Sequence, residues 1–275
     1  MEQRKYANSP FQWAGGKNKV LPVLLPVLEK YKKKVFCEPF VGAANVALNF
    51  DADRYILSDY NQDLIYSFIK MRDDVETYLS ACEALFTQGF DVYYNIREQF
   101  NAAMPRERSA MFQYLNKHGF NGLCRYNSKG QFNVPIGTST KPKNVPTEQI
   151  LHFNKRFNEI PTQFQSKDFV SLFNELEVMS NNEVLIYCDP PYVPLTSDFK
   201  YTADGFDFKS QIQLRDLAQS SKHTAIISNH FTEFTANLYK DADELIVFDV
   251  QRTISCKGND RKRVQECVAV YKKGE

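Results

Sequence analysis

The sequence lacks any run of about 18 or more apolar residues, so it predicts no membrane-spanning helix. Residues 1–10 are polar and carry no apolar stretch of the kind that opens a secretory signal, and the chain is expected to be soluble and cytoplasmic. Cysteine is sparse and scattered: Cys37, Cys82, Cys124, Cys188, Cys256 and Cys267 form no C-x-x-C pair, and only four histidines are present. Neither a disulfide framework nor a zinc site is predicted, and no metal is implied. Internal repeats and low-complexity segments are also missing. What is present excludes a disordered or fibrous chain, because 275 residues with 43% apolar and 14% aromatic content can bury a full core.

Acidic residues are missing from one stretch in particular. Residues 108–147 contain no Asp or Glu, while Arg108, Lys117, Arg125, Lys129, Lys141 and Lys143 lie within them. A second basic cluster, Arg252, Lys257, Arg261, Lys262 and Arg263, is interrupted only by Asp260. On a chain of net charge +1 these are either two polyanion-binding segments, where Lys and Arg displace counterions from phosphates, or two solvated loops.

The apolar run Val35-Phe36-Cys37 stops at Glu38-Pro39-Phe40, turns at Gly42 and enters the small-residue segment 43–48, which reads as strand, tight loop and helix. A strand over 55–59 and a helix over 64–71 follow. This alternation predicts an α/β domain with a largely parallel sheet. It is lost over 72–165, where helices at 75–86, 109–117 and 147–158 flank a Gly/Asn/Pro-rich loop at 119–146, and this part reads as an insert. The pattern then resumes with a buried-type strand at 184–188, a helix at 209–220, a strand at 224–228 and a terminal hairpin of 244–251 with 264–271.

Ligands of open α/β sheets bind beyond the carboxyl ends of the strands. Glu38 and Gly42 lie just past the first strand, and Gly42 allows close approach of a ligand to the backbone. Asp59 ends the second strand about 20 residues on, which suits either an acceptor for ribose hydroxyls or, with Asn61, a helix cap. Asp168-Phe169 offers an acid and an aromatic face suited to an adenine. The glycine-rich dinucleotide fingerprint is missing, because Gly42-Ala43-Ala44 lacks its second and third glycines, and this weighs against a nicotinamide or flavin enzyme.

Asp189-Pro190-Pro191-Tyr192 directly follows the buried-type strand. Two prolines offer no backbone donor and leave only carbonyl acceptors. An amine attacking an electrophilic methyl group needs such acceptors for its two hydrogens, here the Asp189 carboxylate and the Pro190 carbonyl, with Tyr192 as a flat face for a base. The alternative is an ordinary turn at the end of a strand.

At these residues the sequence resembles the Dam-type, α-group DNA adenine-N6 methyltransferases. The resemblance is carried by Phe11-Gln12-Trp13-Ala14-Gly15-Gly16-Lys17, by Glu38-Pro39-Phe40-Val41-Gly42, by His118-Gly119-Phe120-Asn121-Gly122-Leu123-Cys124-Arg125-Tyr126-Asn127 and by Asp189-Pro190-Pro191-Tyr192. It implies a Rossmann-like methyltransferase sheet with a C-terminal antiparallel hairpin. Residues 1–71 and 166–275 would form the catalytic domain, and 72–165 an inserted, mainly helical target-recognition domain.

The resemblance further implies S-adenosyl-L-methionine as cofactor, contacted by Trp13, Ala14, Gly15, Lys17, Glu38, Pro39, Phe40, Gly42, Asp59, Asp168, Phe169 and Asp189. A flipped adenine would be held by Asp189, Pro190, Pro191 and Tyr192. Double-stranded DNA, methylated at the adenine of GATC, is the implied partner, with no membrane and no obligate protein partner. Phe120, a Tyr in better-known members, would wedge into the duplex and Asn121 address the orphaned thymine. Leu123 would touch a thymine methyl and Arg125 read a guanine, supported by Asn133 and Pro135, while Lys257, Arg261 and Lys262 bind phosphate. Gln12 replaces a Lys that reads the first guanine in close relatives, and Gln prefers adenine edges. The rival readings are a methyltransferase for cytosine N4, an RNA base or glutamine, and a DNA-binding module without catalysis. Cytosine-N4 enzymes usually carry Ser in place of Asp189.

Overall fold

The computed structural model describes residues 6–13, 15–138, 143–194, 206–251 and 263–274. In chain order the elements are α1 (Leu21–Lys30), β1 (Val35–Glu38), β2 (Arg54–Ser58), α2 (Gln62–Asp73), α3 (Val75–Phe86), α4 (Tyr93–Ala102) and α5 (Ser109–His118). They continue with α6 (Thr147–Glu159), β3 (Thr162–Gln165), α7 (Phe169–Leu176), β4 (Val184–Cys188), α8 (Phe208–Ser220), β5 (Thr224–His230), α9 (Glu233–Leu238), β6 (Glu244–Gln251) and β7 (Arg263–Tyr271). Short 3-10 turns occupy Lys17–Lys19 and Phe120–Gly122.

The strands form one sheet in the order β3-β2-β1-β4-β5-β7-β6. β1 pairs in parallel with β2 and β4, β4 in parallel with β5, and β7 runs antiparallel to both β5 and β6. The expected terminal hairpin is present, paired from Glu244↔Val270 to Gln251↔Arg263. This is a mixed α/β fold with a Rossmann-like methyltransferase sheet. Strand order reverses where β1 lies beside β4, the switch point at which such sheets place ligands.

By internal contacts the chain divides into two compact units. One comprises Met1–Asn18, Val41–Asn49 and Asp59–Ser166; the other comprises Lys19–Phe40, Phe50–Ser58 and Lys167–Glu275. In the second unit every residue of β1, β4 and β5 is buried, as strands covered on both faces require. Val35, Cys37, Val184, Ile186, Ala225 and Ile227 point to one core, filled by Leu172 and Phe173 of α7 and Leu214 and Ala218 of α8. On α1 the buried positions Leu21, Leu24, Leu25 and Leu28 make a single apolar stripe, and Pro22 sits in the first turn, where a missing N–H costs nothing.

The first unit is mainly helical. α2 begins at Asn61, whose side chain accepts from the Asp63 and Leu64 amides. Asp63 is buried and takes a bidentate contact from Arg108, Nε at 2.6 Å and Nη2 at 3.0 Å, plus the Tyr126 hydroxyl at 2.5 Å.

The helix expected over 43–48 does not form. Gly42 and Ala44 both adopt left-handed backbone, φ 46° and φ 58°, so the segment is a chain of turns. Its bonds are Ala44 N to Val41 O and Leu48 N to Ala44 O. Four elements went unforeseen. Of these, α7 was hidden because Asp168 was read as a ligand rather than a cap, and β3 because four residues are too few to show a period.

Candidate active site

In the second unit the carboxyl ends of β1 and β4 lie side by side, with Cys37 in register with Ile186. Glu38 closes β1 and is 2% exposed. Asp189 follows β4 directly, then Pro190, which is buried. Its charge is felt by its neighbours. Burial first, and the Asp189 charge second, push the Tyr187, Cys188 and Tyr192 protons well above their usual range. The Tyr192 hydroxyl therefore stays protonated, and it donates to Glu266 Oε2 at 3.2 Å.

The tetrapeptide is braced from β5 and α8. Val193 N donates to Asn229 Oδ1 at 3.0 Å, and His230 Nδ1 lies 2.8 Å from Val193 O. Because a carbonyl only accepts, His230 carries its proton on Nδ1. Asn229 is fully buried and donates to Gln211 Oε1 at 3.0 Å and to the Tyr239 hydroxyl at 3.1 Å. Gln211 Nε2 in turn donates to the Pro191 carbonyl at 2.8 Å. The Tyr192 ring meets the His230 ring edge-on at 4.7 Å. Sequence reasoning missed Gln211, Asn229, His230 and Glu266. The available signal was the polar triplet Ser228-Asn229-His230 at the carboxyl end of an otherwise apolar strand.

Two expected cofactor residues meet here: the rings of Phe40 and Phe169 lie 5.5 Å apart, and Phe206 joins both at 5.6 and 5.5 Å. Such a cluster offers aromatic surface beside the end of β1. Pro39, which links it to Glu38, is buried. Asp168 caps α7, accepting from Ser171 N at 2.9 Å and Ser171 Oγ at 2.6 Å. Those bonds hold its carboxyl below the usual range, so it is anionic.

In the first unit Asp59 Oδ2 accepts from Gly42 N at 3.0 Å and Oδ1 from Asn61 N at 2.9 Å. Burial raises its carboxyl pKa, and the two amides work against that. The Trp13 indole lies against Gly42 so closely that a Cβ there would sit 3.0 Å from Nε1. Lys17 is buried and donates to Gly15 O at 3.1 Å. Trp13, Gly42 and Asp59 are thus joined in this unit, whereas Lys17 is tied to its own turn. Ala14 lies outside the described residues.

The recognition segment is a loop folded on itself. Gly119 bridges Ile136 and Tyr126 bridges Phe132. Phe120 N donates to Pro135 O at 2.9 Å, and the Arg125 guanidinium is held by Asn133, Nε to Oδ1 at 2.8 Å and Nη2 to the carbonyl at 3.3 Å. Phe120, Asn121 and Arg125 are exposed, Leu123 is half-buried, and Asn121 takes left-handed backbone, φ 53°. Gln12, exposed and far away in sequence, is brought against Gly122 at the centre of the loop. A cavity of about 210 Å³ beside it is lined by Gln12, Lys117, His118, Asn121 and Lys143, among others. Lys257, Arg261 and Lys262 lie outside the described residues. Among the described residues no group of three or more His, Cys, Asp or Glu is arranged to hold a metal, and no helix is long and apolar enough to cross a membrane.

Residues 13–254 match the family described as D12 class N6 adenine-specific DNA methyltransferase. The DNA adenine methylase of Escherichia coli (strain K12) is 40% identical over 275 residues, covering 96% of this chain and 95% of that protein. The enzyme of the same name from Haemophilus influenzae is 39% identical, covering 97% and 95%, and that of Salmonella typhi is 38% identical, covering 96% and 95%. A match of this extent, on a sheet that carries Asp-Pro-Pro-Tyr at its switch point, shows that the chain belongs to the D12 class of N6 adenine-specific DNA methyltransferases.

Proposed function

We propose that the protein transfers a methyl group from S-adenosyl-L-methionine to N6 of an adenine flipped out of double-stranded DNA, at the site GATC. The observation that carries this reading is the placement of Asp189-Pro190-Pro191-Tyr192 beyond β4, braced through Asn229, His230 and Gln211. The Asp189 carboxylate and the Pro190 carbonyl accept the two hydrogens of the exocyclic amine and turn its lone pair outward. Tyr192 supplies the face on which the base rests, and its bond to Glu266 holds that ring in place. Taking the base out of the stack is what lets a duplex atom reach such a pocket.

S-adenosyl-L-methionine, when bound, supplies an electrophilic methyl group. The residues suit it: Glu38 is a buried acceptor at a strand end, and Phe40, Phe169 and Phe206 present aromatic surface beside it. We assign Pro39, Asp168 and Asp189 to the same role, and likewise Trp13, Gly15, Lys17, Gly42 and Asp59 of the first unit. For DNA, residues 72–165 act as the target-recognition domain. Phe120 enters the duplex, Asn121 addresses the orphaned base, Leu123 and Arg125 read base edges, and Asn133 with Pro135 supports them. Gln12 addresses the first base pair.

Mapping methylated adenines in a methylation-free host that expresses the chain tests this. GATC is the expected consensus, and a consensus without a central A–T step overturns the assignment; degeneracy confined to the first base implicates Gln12. Asp189→Ala is expected to abolish transfer while cofactor affinity stays within about tenfold. Equal loss of both would make Asp189 a structural residue.

A further inference from the structure

Asn116 lies near the end of α5 with its side chain fully buried. Its carboxamide is used on both sides. Gln12 N donates to Oδ1 at 2.8 Å, and Nδ2 donates back to Gln12 O at 2.7 Å. The backbone of residue 12 is thereby gripped as a neighbouring strand would grip it. The same Nδ2 reaches Gly122 O at 3.3 Å, in the middle of the recognition loop.

The two gripped segments are also in direct contact. Gly122 has φ +64°, and a Cβ there would stand 2.4 Å from Gln12 Cβ and 3.0 Å from Gln12 Oε1. Residue 122 must therefore be glycine for residue 12 to lie where it does. Gln12 itself points an exposed side chain from a backbone that cannot move independently of the loop. A carboxamide reads a base edge only within the narrow distance and angle limits of a hydrogen bond, so small displacements of that backbone are felt as lost discrimination.

We propose that Asn116 is a positioning residue for sequence discrimination, holding Gln12 and residues 120–125 in one register so that readout of the first base pair depends on it. This rests on the reading that Gln12 addresses the first base pair. Asn116 bonds residues 12, 122 and 124, none of which is assigned to hold the adenine or the cofactor, so the effect is expected in choice of site.

The test compares kcat/KM on duplexes that carry each base pair at the first position, and separately at the last position, for the unmodified protein, Asn116→Asp, Asn116→Ser and Gln12→Ala. Asn116→Asp keeps the acceptor for Gln12 N but sets a carboxylate against two carbonyls. It is expected to reduce discrimination at the first position about tenfold, the scale of one base contact, while discrimination at the last position changes less than about twofold. Asn116→Ser, which shortens the link without adding charge, is expected to act in the same direction and serves if the Asp variant does not fold. A role in folding alone lowers every duplex by the same factor and leaves the first-position ratio intact, and that result overturns the proposal. If Gln12→Ala changes the ratio and neither Asn116 variant does, the proposal fails alone; if Gln12→Ala leaves it unchanged, the reading of Gln12 fails and the proposal with it.

Discussion

Replacing Gly42 by Ala sets two separable costs against each other. The first is backbone: φ is +46°, and an L-residue in the left-handed region costs about 1–2 kcal/mol. The second is steric, because the new Cβ would meet Trp13 Nε1 at 3.0 Å and Cδ1 at 3.1 Å. Relieving that contact moves the indole by a few tenths of an ångström, at about 1–2 kcal/mol for an overpacked site. Gly42→Ala is therefore expected to lower stability by about 2–4 kcal/mol in urea unfolding. In a Trp13→Ala background only the backbone cost remains, so the double-mutant cycle should return a coupling of about 1–2 kcal/mol. Trp13 is the chain's one tryptophan, so its fluorescence reports the displacement directly, with circular dichroism serving the Trp13→Ala proteins. Equal costs of Gly42→Ala in the two backgrounds would refute the packing of the indole on residue 42. Titration with S-adenosyl-L-methionine on the same proteins should show weaker binding wherever the indole has moved.

Three further outcomes are expected. Burial, with the Lys143 charge adding to it, lowers the Lys117 pKa to about 8. His118, which lines the same cavity, has its pKa lowered by burial and is neutral there. Duplex affinity at fixed salt should thus fall as pH rises through 8, by up to about tenfold per unit for one lost phosphate contact, and Lys117→Arg should flatten the profile. The sign for stability is opposite: between 8 and the ordinary lysine value of 10.5 the folded chain binds fewer protons than the unfolded one, so stability rises with pH across that window. An affinity profile equally steep in Lys117→Arg would show that another group titrates. Arg108→Met leaves the buried Asp63 carboxylate with the Tyr126 hydroxyl and costs about 3–5 kcal/mol in urea unfolding, with Asp63→Asn added to it restoring part of the loss. A loss below about 1 kcal/mol would mean that the pair is solvated. Asn229→Ala strands the Val193 and His230 amides it now satisfies, so kcat should fall by about tenfold or more with cofactor affinity kept; stability loss with kcat unchanged would separate the brace from catalysis.

Much of the second unit was legible because its cues are local. The runs at 35–37, 184–188 and 225–227 are apolar without interruption, as the middles of strands buried on both faces must be, and Asp189-Pro190-Pro191-Tyr192 follows one of them directly. The sequence by itself determined the α/β class, the hairpin of 244–251 with 264–271, and the position of the tetrapeptide at a strand end. Only the tertiary structure decided that segment 43–48 turns instead of winding into a helix: Gly42 and Ala44 are both left-handed, and Gly42 at its entrance is held by Trp13 and Asp59, which lie elsewhere in the chain. It alone showed that Asn229, His230 and Gln211 hold the catalytic loop, and that Asn116 joins residue 12 to residue 122. Hydrogen bonds that span 100 residues leave no period and no spacing along the chain, so a polar side chain buried for its partners looks in sequence like any other.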